Sequence, residues 1–214
     1  ILLMSDDEDA VPIVAKKLKT AAQEYPEIIL NVLSEFYFKQ REYTRAFDVK
    51  IELSELRKPD FIDWLKFANE CRKENQYEIS IDAYNFILGF KINSNLAGKA
   101  LLGLAQTFED QIIPAHESHL IPYFFDNNLF FEDPFQVNSM ISPEHLKSSL
   151  GLYDSLLVSL PKSPLLAEAY FRLGEIKYRI LQDFDQAYVL LHKAMQNKPD
   201  KKLKLKISLR IADV

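Results

Sequence analysis

Apolar residues recur at three- and four-residue intervals over most of this chain, the spacing that places them on one face of a helix. Between positions 11 and 24 the stripe is Val14, Leu18, Ala21 and Ala22. A second runs through Leu30, Leu33, Ser34 and Tyr37, and a third through Ala46, Val49, Lys50 and Leu53. The second and third stripes then return, without a gap, 34 residues later. Leu30 aligns with Trp64, Leu33 with Phe67, Ser34 with Ala68 and Tyr37 with Cys71. Further on, Tyr43 aligns with Tyr77, Ala46 with Ser80, and Leu53 with Ile87. A fixed period of this length predicts stacked helix–turn–helix units.

Breaks between the stripes carry their own chemistry. Pro26 closes the first piece, which reads as the second helix of a partial repeat over 11–26. A full repeat follows over 27–59 and ends at Pro59, because the residue before a proline is pushed away from helical angles. Asp60 is placed to cap the next helix, and Asp63 lies in its first turn, where the helix dipole favours negative charge. In the repeat over 60–93, Asn75 sits between the two helices and tolerates the left-handed angles such a turn demands.

The third repeat, 94–162, is split. Leu101, Leu102, Gly103, Leu104 and Phe108 read as its first helix. Its second starts at Ser142, with Pro143 at the preferred first helical position, and continues through Ser149, Tyr153 and Leu156. A fourth repeat spans 163–200. The tail, 201–214, alternates as Lys202-Leu203-Lys204-Leu205-Lys206-Ile207; within a helical array it reads as the first helix of a further repeat, with Leu203, Ile207 and Ile211 on one face. The pattern is interrupted at both ends, which suggests a piece of a longer protein.

These units resemble tetratricopeptide repeats. The large opening residue is Leu30, Trp64 or Tyr170. The small residue of the first helix is Ser34, Ala68, Gly103 or Gly174, and that of the second is Ala46, Ser80, Ser149 or Ala187. The closing proline is Pro59, Pro161 or Pro199. Small residues on facing helices let two backbones approach closely while large ones fill the space beside them. The fourth copy departs by one extra residue between Tyr178 and Asp183, and Arg41 and Asn75 stand where the family places a turn glycine.

The resemblance implies an all-α fold, a right-handed α-solenoid of stacked helix–turn–helix units of the kind bacterial scaffolds use. It further implies that first helices line a concave groove that holds a peptide or protein. Groove positions are then Asn31, Glu35 and Lys39 in the first full repeat, Leu65, Asn69, Arg72 and Lys73 in the second, and Phe171, Glu175 and Arg179 in the fourth. One subclass clamps a peptide's terminal carboxylate with Lys and Asn at fixed positions. Asn69 fits that pattern, but Glu35 would repel a carboxylate.

An insertion from about 111 to 141 interrupts the third repeat. Tyr123, Phe124, Phe125, Phe130, Phe131 and Phe135 crowd into 13 positions, interleaved with Asp126, Glu132 and Asp133. Structureless loops beyond about 12–15 residues are uncommon in compact domains. Rings packed on the repeats' own surface, rings forming a partner-binding patch, and rings touching a membrane are the three readings; interleaved acids disfavour the last at an anionic bilayer.

Composition narrows the function. A net charge of -5 gives no basic footprint for nucleic acid. The single cysteine, Cys71, excludes an internal disulfide framework, and no apolar run reaches the ~20 residues that span a bilayer. Ile1-Leu2-Leu3-Met4 is too short for a signal-peptide core, and Asp6, Asp7, Glu8 and Asp9 suit a solvated end. His116-Glu117-Ser118-His119 lacks the spacing of a helical zinc motif. No phosphate-binding glycine loop and no nucleophile elbow occur.

We therefore expect a non-catalytic interaction scaffold with no metal and no cofactor. Its compartment, cytoplasm or bacterial envelope, and its oligomeric state stay open. Two alternatives stand beside it. Ser163-Pro164-Leu165-Leu166-Ala167-Glu168-Ala169 is similar to repeat starts in envelope lipoproteins of this superfamily. A targeting module of a larger enzyme is the other.

Overall fold

The computed structural model describes residues 10–113 and 141–214, and these form ten α-helices with no strand among them. The chain divides into two compact units, Ile1–Ile87 and Leu88–Val214. The first holds α1 (Ala10–Ala21), α2 (Pro26–Lys39), α3 (Tyr43–Leu56), α4 (Phe61–Lys73) and nearly all of α5 (Tyr77–Leu88). The second holds α6 (Ser94–Glu109), α7 (Pro143–Ser159), α8 (Leu166–Arg179), α9 (Phe184–Gln196) and α10 (Lys201–Asp213).

Helix ends follow local chemistry. Asp60, Asn93, Asp183 and Asp200 each accept backbone N–H groups of the helix they precede, at 3.0, 2.9, 3.1 and 2.7 Å. These bonds satisfy donors that the helix itself leaves orphaned. Both α4 and α10 are preceded by a Pro-Asp pair. Arg41 and Asn75 adopt φ of 59° and 58° at the α2–α3 and α4–α5 turns. Each turn closes with the same two bonds: Glu42 N–H to the Tyr37 carbonyl and Arg41 N–H to Phe38, then Gln76 to Cys71 and Asn75 to Arg72. This is the Schellman closure, made without glycine. In the α8–α9 turn the left-handed residue is Gln182, within the segment that carries the extra residue.

Four helix pairs meet through small residues. Ser34 Oγ donates to the Ala46 carbonyl at 2.9 Å, joining α2 to α3. Ser80 Oγ donates to the Ala68 carbonyl at 2.9 Å, joining α5 to α4. Ser149 Oγ donates to the Ala105 carbonyl at 3.1 Å, joining α7 to α6 across 44 positions of sequence. Gly174 of α8 faces α9, where an added Cβ would stand 3.0 Å from Leu191 and 3.6 Å from the Ala187 carbonyl.

One expectation changes. The small residue facing Ser149 is Ala105, not Gly103. Leu101, Leu104, Ala105 and Phe108 reproduce the spacing of Leu30, Leu33, Ser34 and Tyr37. The crowded Leu101-Leu102-Gly103-Leu104 run permits more than one face assignment from periodicity alone. The Gly103 carbonyl instead accepts the buried Thr107 hydroxyl within α6, at 2.8 Å.

Aromatic rings fill the first unit. Trp64 is 1% exposed and lies 4.3 Å from Phe86 and 5.6 Å from Phe47, centroid to centroid, and its Nε1 donates to Ser54 Oγ at 3.0 Å. Lys50 is buried beside these rings, its Nζ 5.5 Å from both Trp64 and Phe67, and is paired with the half-exposed Asp63 carboxylate. The pair joins α3 to α4, so Asp63 serves Lys50 as well as the helix dipole. In the second unit Ala105, Tyr153, Leu156, Ala169, Leu173 and Ile176 form one core, and Phe171, Leu191, Ala194 and Ile207 another.

Candidate partner-binding surfaces

The first helices of the repeats present the polar positions on which recognition was expected. On α2, Glu35 and Lys39 are exposed and Asn31 is half-buried. On α4, Lys73 is exposed, while Leu65, Asn69 and Arg72 are half-buried. Asn69 is already engaged: its Oδ1 accepts the Tyr84 hydroxyl of α5 at 2.6 Å. That bond orients the carboxamide and ties the turn side of α4 to its own second helix.

On α8 the expected positions are engaged by the chain itself, Phe171 buried and Glu175 and Arg179 half-buried. Phe171 is 7% exposed and sits with Leu191, Ala194 and Ile207. Glu175 accepts from Arg210 of α10, Nε to Oε1 at 2.6 Å and Nη2 to Oε2 at 3.4 Å. Arg179 Nε lies 3.1 Å from the same carboxylate. Arg210 also stands 4.7 Å over the Tyr178 ring and binds Asp213 at 2.9 Å. Burial opposes its charge, but the hydrogen bond and charge of Glu175 outweigh it and hold its pKa above the ordinary value. These contacts dock α10 on α8. The sequence signal was thin, since Arg210 and Glu175 are 35 positions apart.

A buried polar cluster links α6, α7 and α8. Tyr153 donates its hydroxyl to Glu109, whose other oxygen lies 3.4 Å from Arg172 Nη1. Arg172 Nε donates to Glu168 at 2.9 Å. Burial pushes the Glu109 carboxyl above its ordinary pKa despite the opposing pull of Arg172 and Tyr153. Burial and the Glu109 charge together push the Tyr153 phenol well above its own. Sequence reasoning placed Tyr153 in the core but missed Glu109 and Arg172.

Where the insertion leaves and returns, its ends are tied together. Ile112 and Ile113 are buried, the Ile112 carbonyl accepts Ser142 N–H at 2.7 Å, and His145 Nδ1 lies 3.0 Å from the Gln111 carbonyl. Tyr123, Phe124, Phe125, Phe130 and Phe131 lie outside the described residues, as do His116 and His119.

An open cleft of about 430 Å³ lies in the first unit between α1 and the α2–α3 pair, lined by Lys16, Lys19, Thr20, Tyr37 and Arg45 among others. Cys71 is fully buried, and desolvation pushes its thiol up to about 12, which leaves it protonated and inert. Among the described residues no group of three His, Cys, Asp or Glu side chains converges as metal ligands would, and no helix is long and apolar enough to cross a membrane. No protein-family model matches this chain, and no curated protein matches it.

Proposed function

We propose that this protein is a non-catalytic interaction module, a tetratricopeptide-like right-handed solenoid that holds a peptide or protein partner along its first helices. One observation carries the reading. The same helix pair, closed by small residues at Ser34/Ala46, Ala68/Ser80, Ala105/Ser149 and Gly174/Ala187, is built four times from different sequences. Stacked pairs of this kind generate extended surfaces suited to binding chains.

On this reading the contact positions are Asn31, Glu35, Lys39, Asn69, Arg72 and Lys73, with the insertion's rings as a second contact. Glu35, Lys39 and Lys73 mix both signs of charge, which suits a peptide of mixed charge better than a bare carboxylate terminus.

A photo-crosslinking amino acid tests the assignment. Placed at Glu35 or Lys73 it should trap a partner from a source lysate, and placed at the exposed Glu52 or Glu55 of α3 it should not. Equal trapping from both faces, or from neither, removes the groove reading. Replacing 114–140 with a short linker, which spares Ile112, Ile113 and Ser142, separates the groove from the insertion: a partner still trapped at Glu35 belongs to the groove.

A further inference from the structure

Helices α2 and α4 leave the same stripe bare, and the stripe changes character along its length. On α2, Ile28, Val32, Glu35 and Lys39 follow at i, i+4, i+7 and i+11, and all four are exposed. At positions 34 residues later, α4 presents Ile62, Lys66, Asn69 and Lys73, all exposed except the half-buried Asn69. Both helices lie inside the chain, between α1 and α5. On α4 the stripe is bare although three neighbours pack against the helix. Phe38 of α2 lies 5.6 Å from Phe67, Phe47 of α3 lies 5.6 Å from Trp64, and Ser80 of α5 donates to the Ala68 carbonyl.

The N-terminal end of each stripe is apolar. Ile28 is 67% exposed, Val32 37% and Ile62 75%, and Leu65 is half-buried one turn after Ile62. Helix formation does not ask for isoleucine there, since β-branched residues are weaker helix formers than the Lys, Glu or Gln suited to an exposed position. Single apolar residues scattered over a surface need no explanation, but these recur at one position of consecutive units and stand together on one side.

The C-terminal end is basic. Lys39 and Lys73 are the last residues of their helices, where they also suit the dipole. Lys66 lies mid-helix, outside the reach of that effect. Glu35 is the one acid in either stripe; Glu27 stands in the first turn of α2, about a quarter-turn or more off it. The second helices are the reverse. Asp48, Glu52 and Glu55 are exposed on α3, and Glu78 and Asp82 on α5, while the exposed Arg45 is paired with Glu42. Charge in this unit is therefore divided between first and second helices, although the whole chain carries -5. Such a division draws an acidic ligand to the first helices and repels it from the second.

We propose that the α2 and α4 stripes bind an acidic peptide segment bearing aliphatic side chains, which meet Ile28, Val32 and Ile62 while its carboxylates meet Lys39, Lys66 and Lys73. This rests on the groove reading above and narrows its ligand, because Lys66 tips the charge of the surface. An anionic bilayer offers the same two chemistries. Its fit is poorer, since Glu35 and Asn69 interrupt the stripes and interfacial helices keep an apolar face for the acyl boundary.

A phage library of short random peptides, panned on the full chain, tests the chemistry. Selected peptides should be enriched in Asp and Glu together with Leu, Ile or Val. Their binding, read by fluorescence anisotropy, should fall at least tenfold with Ile28→Gln and Ile62→Gln combined. It should fall as far with Lys39→Glu, Lys66→Glu and Lys73→Glu combined, and that variant should itself select basic peptides. All five positions are exposed, and circular dichroism checks that helicity is kept. Basic or uncharged peptides that depend on Ile28 and Ile62 overturn this inference and leave the groove reading standing. Acidic peptides indifferent to all five substitutions overturn both. No enrichment overturns this inference, and crosslinking at Glu35 then decides the groove reading by itself. Vesicles of phosphatidylserine and phosphatidylcholine in a one-to-two ratio form the contrary arm: binding to them that is lost with the same substitutions assigns the stripes to lipid and overturns the peptide.

Discussion

Trp64 concentrates several stabilising contacts in one side chain: it is buried to 1% exposure, touches Phe47, Phe67 and Phe86, and donates to Ser54. Trp64→Ala should cost about 3–5 kcal/mol in urea denaturation, as for other large buried aromatics. Near-parental stability would remove it from the core. Glu109 makes a prediction in pH. Burial raises its carboxyl above the ordinary 4.5 in the folded state, so the folded form prefers the proton. The stability this contributes is fully present below the unfolded value and is lost as pH rises through the folded one. Glu109→Gln keeps an acceptor for Tyr153 and cannot ionise. Its melting temperature relative to the parent should climb as pH goes from 4 to 7, and a constant difference would show that burial does not control Glu109. Both residues show what sequence reveals at this scale. Trp64 announced itself through its aligned partner Leu30, whereas Glu109 looked like one more surface acid. Its partners are 44 and 63 positions away, and no local pattern connects them.

Helices α8 and α9 meet closely at Gly174 and Ala187: a Cβ added at Gly174 would stand 3.0 Å from Leu191, and Ala187 is fully buried. Ala187→Leu should therefore overpack the pair and cost about 1–3 kcal/mol. A neutral result would mean that the facing residue is not Ala187. The pairing was legible here and in the first two repeats because small residues recur at a nearly fixed separation. It was misplaced in the third, where a leucine-rich run blurred the face and Ala105 took the role expected of Gly103. The elements themselves were legible from their punctuation: Pro59-Asp60, Asn75 and Ser142-Pro143 all stand at observed helix boundaries. The cover that α10 lays over Phe171 and Glu175 was not, because a groove position and a docking position on a first helix carry the same kinds of residue.

For the whole molecule, one construction principle runs through both units. Each helix pair is closed by a small residue, and within each unit polar ties join one pair to the next element: Lys50 with Asp63 in the first unit, Glu109 with Arg172 and Glu175 with Arg210 in the second. Small residues set how closely the helices of a pair approach. Polar ties hold neighbouring pairs within a unit together, because a buried charge left alone is costly. The apolar periodicity therefore predicts the pair well and the polar ties between pairs poorly.

The tie between Ile112 and Ser142 bears on how the molecule tolerates change. The two chain segments at that junction are pinned to each other by the Ser142–Ile112 bond, and Ile112 and Ile113 are themselves buried. Once the ends of a connection are fixed in this way, each doubling of its length costs only about 0.6 kcal/mol in closure entropy. The junction is thus a socket: a foreign peptide, an epitope or a small domain with adjacent ends could be grafted between positions 113 and 141 while α6 and α7 keep their alignment.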